Sequence, residues 1–373
     1  MPEEQKAVAA VRIEQLLRAM VENGASDLHI RIGIPPTFRI HGELKKLFDI
    51  KVTFQMMDSF LGDIMNQSQK EHFENTKECD FALSARELGR FRVNVFRQRG
   101  TPAIVFRHIN SVIPKFESLG LPDVVLDLAL RKRGLVLVTG TTGSGKSTCL
   151  AAMIDHINEI ESTHILTVED PVEFLHRDKK SIISQREIGS DSLSYANALK
   201  AALRQDPDVM LIGEIRDLET MAIALTAADT GHMVFATIHT TNATETIHRI
   251  LSMYPPHQHD EIRMLLASCL EGIISLRLLP RTDQVGRVPA AEVLVNTAAI
   301  KEYIMDKDKT DFIETAIAEG HMQYHSQTFD QALLALFNND KISKETALEA
   351  ATNRDDFELK LRGITGTSDR GWM

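Results

Sequence analysis

Gly140-Thr141-Thr142-Gly143-Ser144-Gly145-Lys146-Ser147 fits the pattern G-x-x-x-x-G-K-[ST], a spacing suited to cradling phosphate groups. Its glycines let backbone N–H groups turn toward phosphate oxygens. A helix starting there adds partial positive charge. In that chemistry Lys146 reaches the β- and γ-phosphates of ATP, Ser147 holds Mg²⁺, and Thr148 continues into the helix. An apolar strand pattern, Leu135 to Val138, precedes the loop and a helical segment, Ser147 to Ile160, follows it. A bare glycine-rich turn would need neither neighbour.

Three more strand patterns end in candidate chemistry. Asp208-Val209-Met210-Leu211-Ile212-Gly213-Glu214 is an apolar strand followed by an acid, the Walker B pattern. Glu214 is expected to help hold Mg²⁺ through water. Ligands bind at the carboxyl ends of strands in such sheets. Thr163 to Phe174 contains a strand ending in Glu169-Asp170. Phosphoryl transfer to water needs a group that orients or deprotonates the nucleophile. Glu169 is expected in that role, with Glu173 as the second candidate. Met233 to Ile238 is bracketed by His232 and His239. His239 is expected to sense the γ-phosphate, and His232 to lie at the nucleotide. The plainer readings are a strand-end acid in a cap or salt bridge and a structural histidine.

Arg86, Arg90, Arg92, Arg97, Arg99 and Arg107 cluster ahead of these motifs, with Glu87 the one acid from 86 to 107. They read as a solvated sheet face, a nucleic-acid patch, or arginine fingers that bring charge to a phosphate from another domain or subunit. Arg92 and Arg107 lie on separate strand patterns and are the finger candidates. Aromatic interleaving is limited to Phe91, Phe96 and Phe106, which speaks against nucleic acid.

The elements that must position these residues differ in texture along the chain. Residues 6–23 have helical spacing of apolar positions, closed by Asn23-Gly24. Asp27–Ile32, Thr37–Ile40, Arg90–Phe96 and Ala103–Ile109 alternate like strands, and 54–74 reads as a helix. This predicts an α+β domain over 1–110 with a mostly antiparallel sheet. Residues 111–123 read as a linker. From 124 to 296, continuous apolar strands alternate with helical segments, which predicts a parallel sheet covered on both faces. Residues 297–373 read as a helical region ending in a mobile tail from Gly363.

The chain has 373 residues, 43% hydrophobic and 25% charged. That supports two or three globular domains and excludes a fibrous or wholly disordered chain. Lys and Arg number 42 against 52 Asp and Glu, so the net charge is −10. A general nucleic-acid coat is not expected. Cys79, Cys149 and Cys269 form no C-x-x-C pair, so neither a tetracysteine zinc site nor a disulfide framework is expected. Cys149 reads as packing. No signal peptide or membrane span is expected, which points to the cytoplasm.

Taken together, Gly140–Thr148, Glu169–Phe174, Leu203–Asp208 with Gly213–Asp217, and 231–241 resemble the Walker A, Asp box, Walker B and His box of the secretion and type IV pilus motor ATPases. Ala25–Ile30 and Pro35–Gly42 match that family's first domain, so the resemblance spans nearly the whole chain. It is strongest to the PilT/PilU retraction branch. The resemblance implies a PAS-like N-terminal domain, a RecA-like ATPase domain and a hexameric ring. It also implies Arg92 and Arg107 reaching the γ-phosphate, and domain motion passed to an inner-membrane platform protein. PilT-type motors carry A-I-R-N-L-I-R-E where this chain reads Ala299-Ile300-Lys301-Glu302-Tyr303-Ile304-Met305-Asp306. Lys301 and Met305 replace both arginines, which leans toward the accessory, PilU-type side and adds a PilT-type paralogue as an expected partner.

Overall fold

A computed structural model describes residues 11–40, 42–109 and 112–362. His41 and the expected tail from Gly363 lie outside the described residues. The chain divides into two compact units. One is Met1–Val112 with Glu173–Leu175, and the other is Ile113–Val172 with His176–Met373.

In the first unit the elements run α1 (Ile13–Glu22), β1 (Ala25–Arg31), β2 (Thr37–Ile40), β3 (Glu43–Lys46), α2 (Phe54–Ile64), α3 (Gln67–Thr76), β4 (Glu78–Ala85), β5 (Gly89–Gln98) and β6 (Thr101–Ile109). Helix α1 buries Ile13, Leu16, Leu17 and Met20, one face at helical spacing. It begins later than the expected 6–23 span. Residues 6–10 of that span are not described, and Arg12 is its N-cap. The expected helix over 54–74 is two helices. Asn66 accepts from the Gln69 N–H while the Gln69 side chain accepts from the Asn66 N–H, a capping box that restarts the helix.

The sheet order is β3-β2-β1-β6-β5-β4, with every neighbour antiparallel. Phe38, Phe91 and Phe106 of the sheet are fully buried and share a core with Phe60 of α2. Strands β3 and β4 escape sequence reading. The first is exposed throughout and the second is only partly covered, so neither has a clean apolar alternation. This is a PAS-like α+β fold.

The second unit contains α4 (Val124–Ala129), β7 (Gly134–Thr139), α5 (Lys146–Ile160), β8 (His164–Glu169), β9 (Ile182–Glu187), α6 (Tyr195–Ala202), β10 (Val209–Ile212), α7 (Leu218–Asp229), β11 (Met233–Ile238), α8 (Ala243–Ser252), α9 (His259–Cys269), β12 (Leu270–Pro280) and β13 (Arg287–Val295). Six further helices follow: α10 (Ala298–Met305), α11 (Ile313–Glu319), α12 (His321–Tyr324), α13 (Phe329–Asn338), α14 (Lys344–Ala350) and α15 (Arg354–Leu361).

The sheet order is β13-β12-β7-β11-β10-β8-β9. All neighbours are parallel except β12 and β13. Alternate residues of β7 enter different cores. Leu135 and Leu137 pack with α7 and α8 residues, whereas Val136 and Val138 pack with α4 and α5 residues. A RecA-like sheet covered on both faces explains the unbroken apolar strands. Residues expected as the end of the linker pack into this unit, with Phe116 buried in the α4–α5 core. Helices α13, α14 and α15 close a further core over Leu279 and Val288.

Candidate active site

Four neighbouring strands deliver their carboxyl ends to one edge of the second unit's sheet. Ile238 of β11 pairs with Thr139 of β7, and Ile212 of β10 pairs with both Ala236 and Val168. The segments beyond them are the P-loop, His239, Gly213-Glu214 and Glu169. The sheet order therefore gathers motifs spread over about a hundred residues.

In the P-loop, Lys146 donates from Nζ to Gly140 O at 2.7 Å and to Thr141 O at 3.0 Å. Burial pushes its ammonium below the ordinary lysine range, and the Glu214 carboxylate works against that shift. Gly140 has φ +140, and a Cβ there would meet Ser144 Oγ at 2.4 Å and Leu276 O at 2.5 Å. Only glycine lets the chain leave β7 in this direction. Gly143 and Gly145 also have positive φ, and Gly145 caps α5 without a side-chain bond. The first N–H groups of α5 are thus left for an acceptor. Ser144 Oγ is buried with no hydrogen-bond partner in the structure. Thr141, Thr142 and Ser147 are exposed. Cys149 is buried beneath the loop, Sγ 3.9 Å from Met153 Sδ, and burial pushes its thiol up to about 12. It is packing, as its sequence position suggests.

Glu214 has a side chain against each carboxylate oxygen. Its Oε2 is 2.6 Å from Arg216 Nη2 and its Oε1 is 3.3 Å from His239 Nε2. Glu169 is buried, and its Oε1 accepts from Thr167 Oγ1 at 2.8 Å and Gln185 Nε2 at 3.3 Å. Glu173, the second candidate, is exposed and groups with the first unit, while Glu169 is built into the sheet of the second.

His232 is not brought to this edge. It precedes Met233, at the amino end of β11, where Nδ1 lies 3.0 Å from Ala227 O and its carbonyl accepts from Gly134 N. Six strand residues span about 20 Å, so its own P-loop is out of its reach. A continuous apolar run does not reveal which end of a strand meets the site until strand direction is known.

The two arginines of the first unit are direct partners, Arg92 on β5 opposite Arg107 on β6. Asp27 pairs with Arg107 on one side and Arg39 on the other. Arg107 Nε donates to the buried Asp27 Oδ1 at 2.9 Å, and Arg39 Nε lies 3.9 Å from Oδ2. One cross-strand row thus carries three guanidiniums and one carboxylate.

Sequence reading missed the residues that orient the acids: Thr167, Gln185 and Arg216. Thr167 and Gln185 are polar residues in strands with no motif spacing of their own, and Arg216 lies within the Walker B stretch without a role read from it. It also missed a cavity of about 160 Å³ against the P-loop, lined by Leu119, Ser144, Thr148, Leu276, Leu278 and Arg287 among others. Apolar walls with one guanidinium suit a nucleobase. Its walls come from three distant segments, so no local pattern marks it.

A P-loop at the carboxyl edge of a RecA-like sheet, with acids on the two strands beyond its neighbour, defines a P-loop ATPase. Residues 2–341 match the family described as "Type II/IV secretion system protein". The chain is 42% identical over 345 residues to "Type IV pilus retractation ATPase PilT" of Pseudomonas aeruginosa, covering 92% of this chain and 99% of that one. It is 40% identical over 352 residues to "Type IV pilus ATPase PilU" of the same species, covering 94% and 92%. The solved structure described as "Crystal Structure of the Pilus Retraction Motor PilT and Bound ADP" aligns with a TM-score of 0.87 at 44% identity, covering 93% of this chain and 99% of that one. The Legionella pneumophila ATPase DotB aligns at 0.74 with 26% identity, covering 97% and 98%. The chain belongs to the type II/IV secretion ATPase family, in its PilT/PilU branch.

Proposed function

We propose that this protein is an ATP-hydrolysing motor subunit that powers or assists type IV pilus retraction in twitching motility. It works as a homo-oligomer, a hexamer, at the cytoplasmic face of the inner membrane. Each ATP cycle moves the domains and passes that motion to an inner-membrane platform protein. The observation that carries the reading is the convergence of Lys146, Glu214, Arg216 and His239 at one sheet edge. The names of its relatives supply the pilus context. No helix among the described residues is long and apolar enough to cross a membrane.

The geometry is compatible with the following division of roles. Backbone N–H groups of Gly143 to Thr148 and the Lys146 ammonium hold the β- and γ-phosphates. The orphaned Ser144 hydroxyl beside them fits a phosphate acceptor. Ser147 and Glu214 hold Mg²⁺, which when bound neutralises charge on the phosphate oxygens. Glu169, its carboxylate oriented by Thr167 and Gln185, positions the attacking water and takes its proton. His239 meets the γ-phosphate and reports its loss to Glu214. The base lies in the cavity beside Leu276 and Arg287. Arg92 and Arg107 supply charge to the γ-phosphate of a neighbouring copy. In this reading the N-terminal domain ends at residue 110, and the core and helical region divide near 296.

A second reading rests on α10, where Lys301 and Met305 lie on the stretch matching A-I-R-N-L-I-R-E and both are exposed. There the protein is an accessory ring subunit on a PilT-type paralogue, its own hydrolysis secondary. The identities of 42% and 40% do not separate the two branches. Purified protein should hydrolyse ATP, and Lys146→Ala should fall to background. In the host, loss of pilus retraction on deletion, restored by wild type and not by Lys146→Ala, supports the motor. Rescue by Lys146→Ala supports the accessory role. Turnover by Lys146→Ala near wild type refutes the P-loop assignment.

A further inference from the structure

Glu292 on β13 is a charged-type side chain in the interior, only 4% exposed, and no sequence motif marks it. It stands in a row that crosses four strands. Ile238 of β11 pairs with Thr139 of β7, Thr139 with Ser275 of β12, and Ser275 with Glu292 of β13. Side chains bind along the same row. Thr139 Oγ1 donates to Ser275 Oγ at 3.0 Å, and Ser275 Oγ donates to Glu292 Oε1 at 3.3 Å. Thr139 and Ser275 are completely buried.

The same oxygen of Glu292 also accepts from the Ala243 N–H at 2.7 Å. Ala243 is the first residue of α8, and an unpaired N–H there favours a carboxylate partner. Between Ala243 and Ile238 lie only His239, Thr240, Thr241 and Asn242. The contacts therefore close a ring: from β11 across the P-loop strand to Glu292, back to the start of α8, and through the histidine segment to β11 again. Thr139 is the last residue before Gly140. A second contact, Thr240 Oγ1 to Thr246 Oγ1 at 2.7 Å, stiffens the segment within the ring.

We propose that Glu292 is a positioning residue for hydrolysis: it holds the His239 segment in register with the P-loop, so that the sensor and the phosphate cradle move together. It acts through its contacts to Ala243 and Ser275. The inference rests on reading His239 as the γ-phosphate sensor. The physical reason is cost. A buried acceptor network that is fully satisfied fixes one arrangement, and losing one member leaves the others unpaired.

The test uses full-length protein and four variants: Glu292→Ala, Glu292→Gln, His239→Ala and the Glu292→Ala/His239→Ala double. Glu292→Ala should lower kcat about 10²-fold, the scale of a 1 Å misplacement. Binding of a fluorescent ADP analogue should change less than about tenfold, because the P-loop and Lys146 are intact. Glu292→Gln should recover most of the rate, since its amide oxygen accepts from Ala243 and Ser275. In the His239→Ala background, Glu292→Ala should cost less than about threefold more, because the group it positions is gone.

Independent effects in the double variant overturn the inference. So does a Glu292→Ala kcat within threefold of wild type while His239→Ala is impaired. A full-rate His239→Ala protein overturns the sensor reading and this inference with it. If Glu292→Ala does not fold by circular dichroism, Ser275→Ala takes its place under the same criteria. That variant removes one hydroxyl and breaks the ring at its middle.

Discussion

At the scale of single residues, the site is a set of charges held by neighbours. Lys146 donates to two loop carbonyls, so binding a phosphate exchanges carbonyl oxygens for phosphate oxygens without moving a bare charge through the interior. Glu169 has its orientation set by Thr167 and Gln185, which a glutamine at 169 can still meet. Glu169→Gln should therefore fold normally, retain bound ATP and lose about 10²–10⁴ in kcat. A Glu169→Gln enzyme turning over at the wild-type rate would transfer the water-positioning role to Glu173.

Glu292 makes a prediction in pH. Burial pushes its carboxyl up to about 7, against hydrogen bonds from Ala243 and Ser275 and the Arg277 charge, with Glu314 adding to the rise. A raised folded-state pKa means its contribution to stability is full below the unfolded value near 4.5 and is lost as pH rises to about 7. The loss is at most about 3 kcal/mol. Urea unfolding from pH 4.5 to 8 should show wild type losing stability relative to Glu292→Gln across that window. Arg277 and Glu314 remain in both proteins and cancel to first order. Parallel curves would mean that the folded-state carboxyl titrates normally.

At the scale of elements, the β7–α5 junction decides whether a nucleotide binds. Gly140 is pinched between the Ser144 side chain and the Leu276 carbonyl of β12, and the carbonyl belongs to a strand paired on both sides. Gly140→Ala cannot be absorbed by a rotamer change. It should cost about 1–3 kcal/mol in stability and abolish binding of a fluorescent ATP analogue, because the loop must leave its cradle shape. A variant that binds with wild-type affinity would show that the loop has slack the packing does not suggest. Elements with strong local signals, such as β7, β10 and β11, were readable because both their faces are buried. Strand β9 was not. Its residues are half-covered at the sheet edge, and Ile182-Ile183-Ser184-Gln185 shows neither period.

At the scale of the molecule, the question is where the γ-phosphate finds its remaining cations. Arg92 and Arg107 stand opposite one another in the first unit, a like-charged pair that is unfavourable unless an anion shares it. Asp27 compensates Arg107 within the row. A phosphate of a neighbouring copy would compensate the pair fully. An arginine finger contributes about 10³–10⁵ in rate. Arg92→Ala or Arg107→Ala should lower kcat by that order and nucleotide affinity far less. Mixing inactive Lys146→Ala protein with inactive Arg107→Ala protein should restore measurable hydrolysis, since some pairings join an intact P-loop to an intact arginine. Mixtures that stay inactive across all ratios would rule out sharing between copies.

The glycine spacing of the P-loop, the unbroken apolar strands and the α+β texture ahead of them were legible in the chain alone, because each depends on local residue order. A phosphate cradle needs glycines at fixed spacing, and a doubly covered strand needs an unbroken apolar run. What the tertiary structure alone decided is which distant residues meet. Strand order put Glu214 beside His239. Strand direction sent His232 to the far end of β11. Register set Arg92 opposite Arg107, and Glu292 in line with Thr139 and Ser275. These are long-range pairings, fixed by which apolar faces bury together and which backbone groups must find partners. No window of neighbouring residues contains that information.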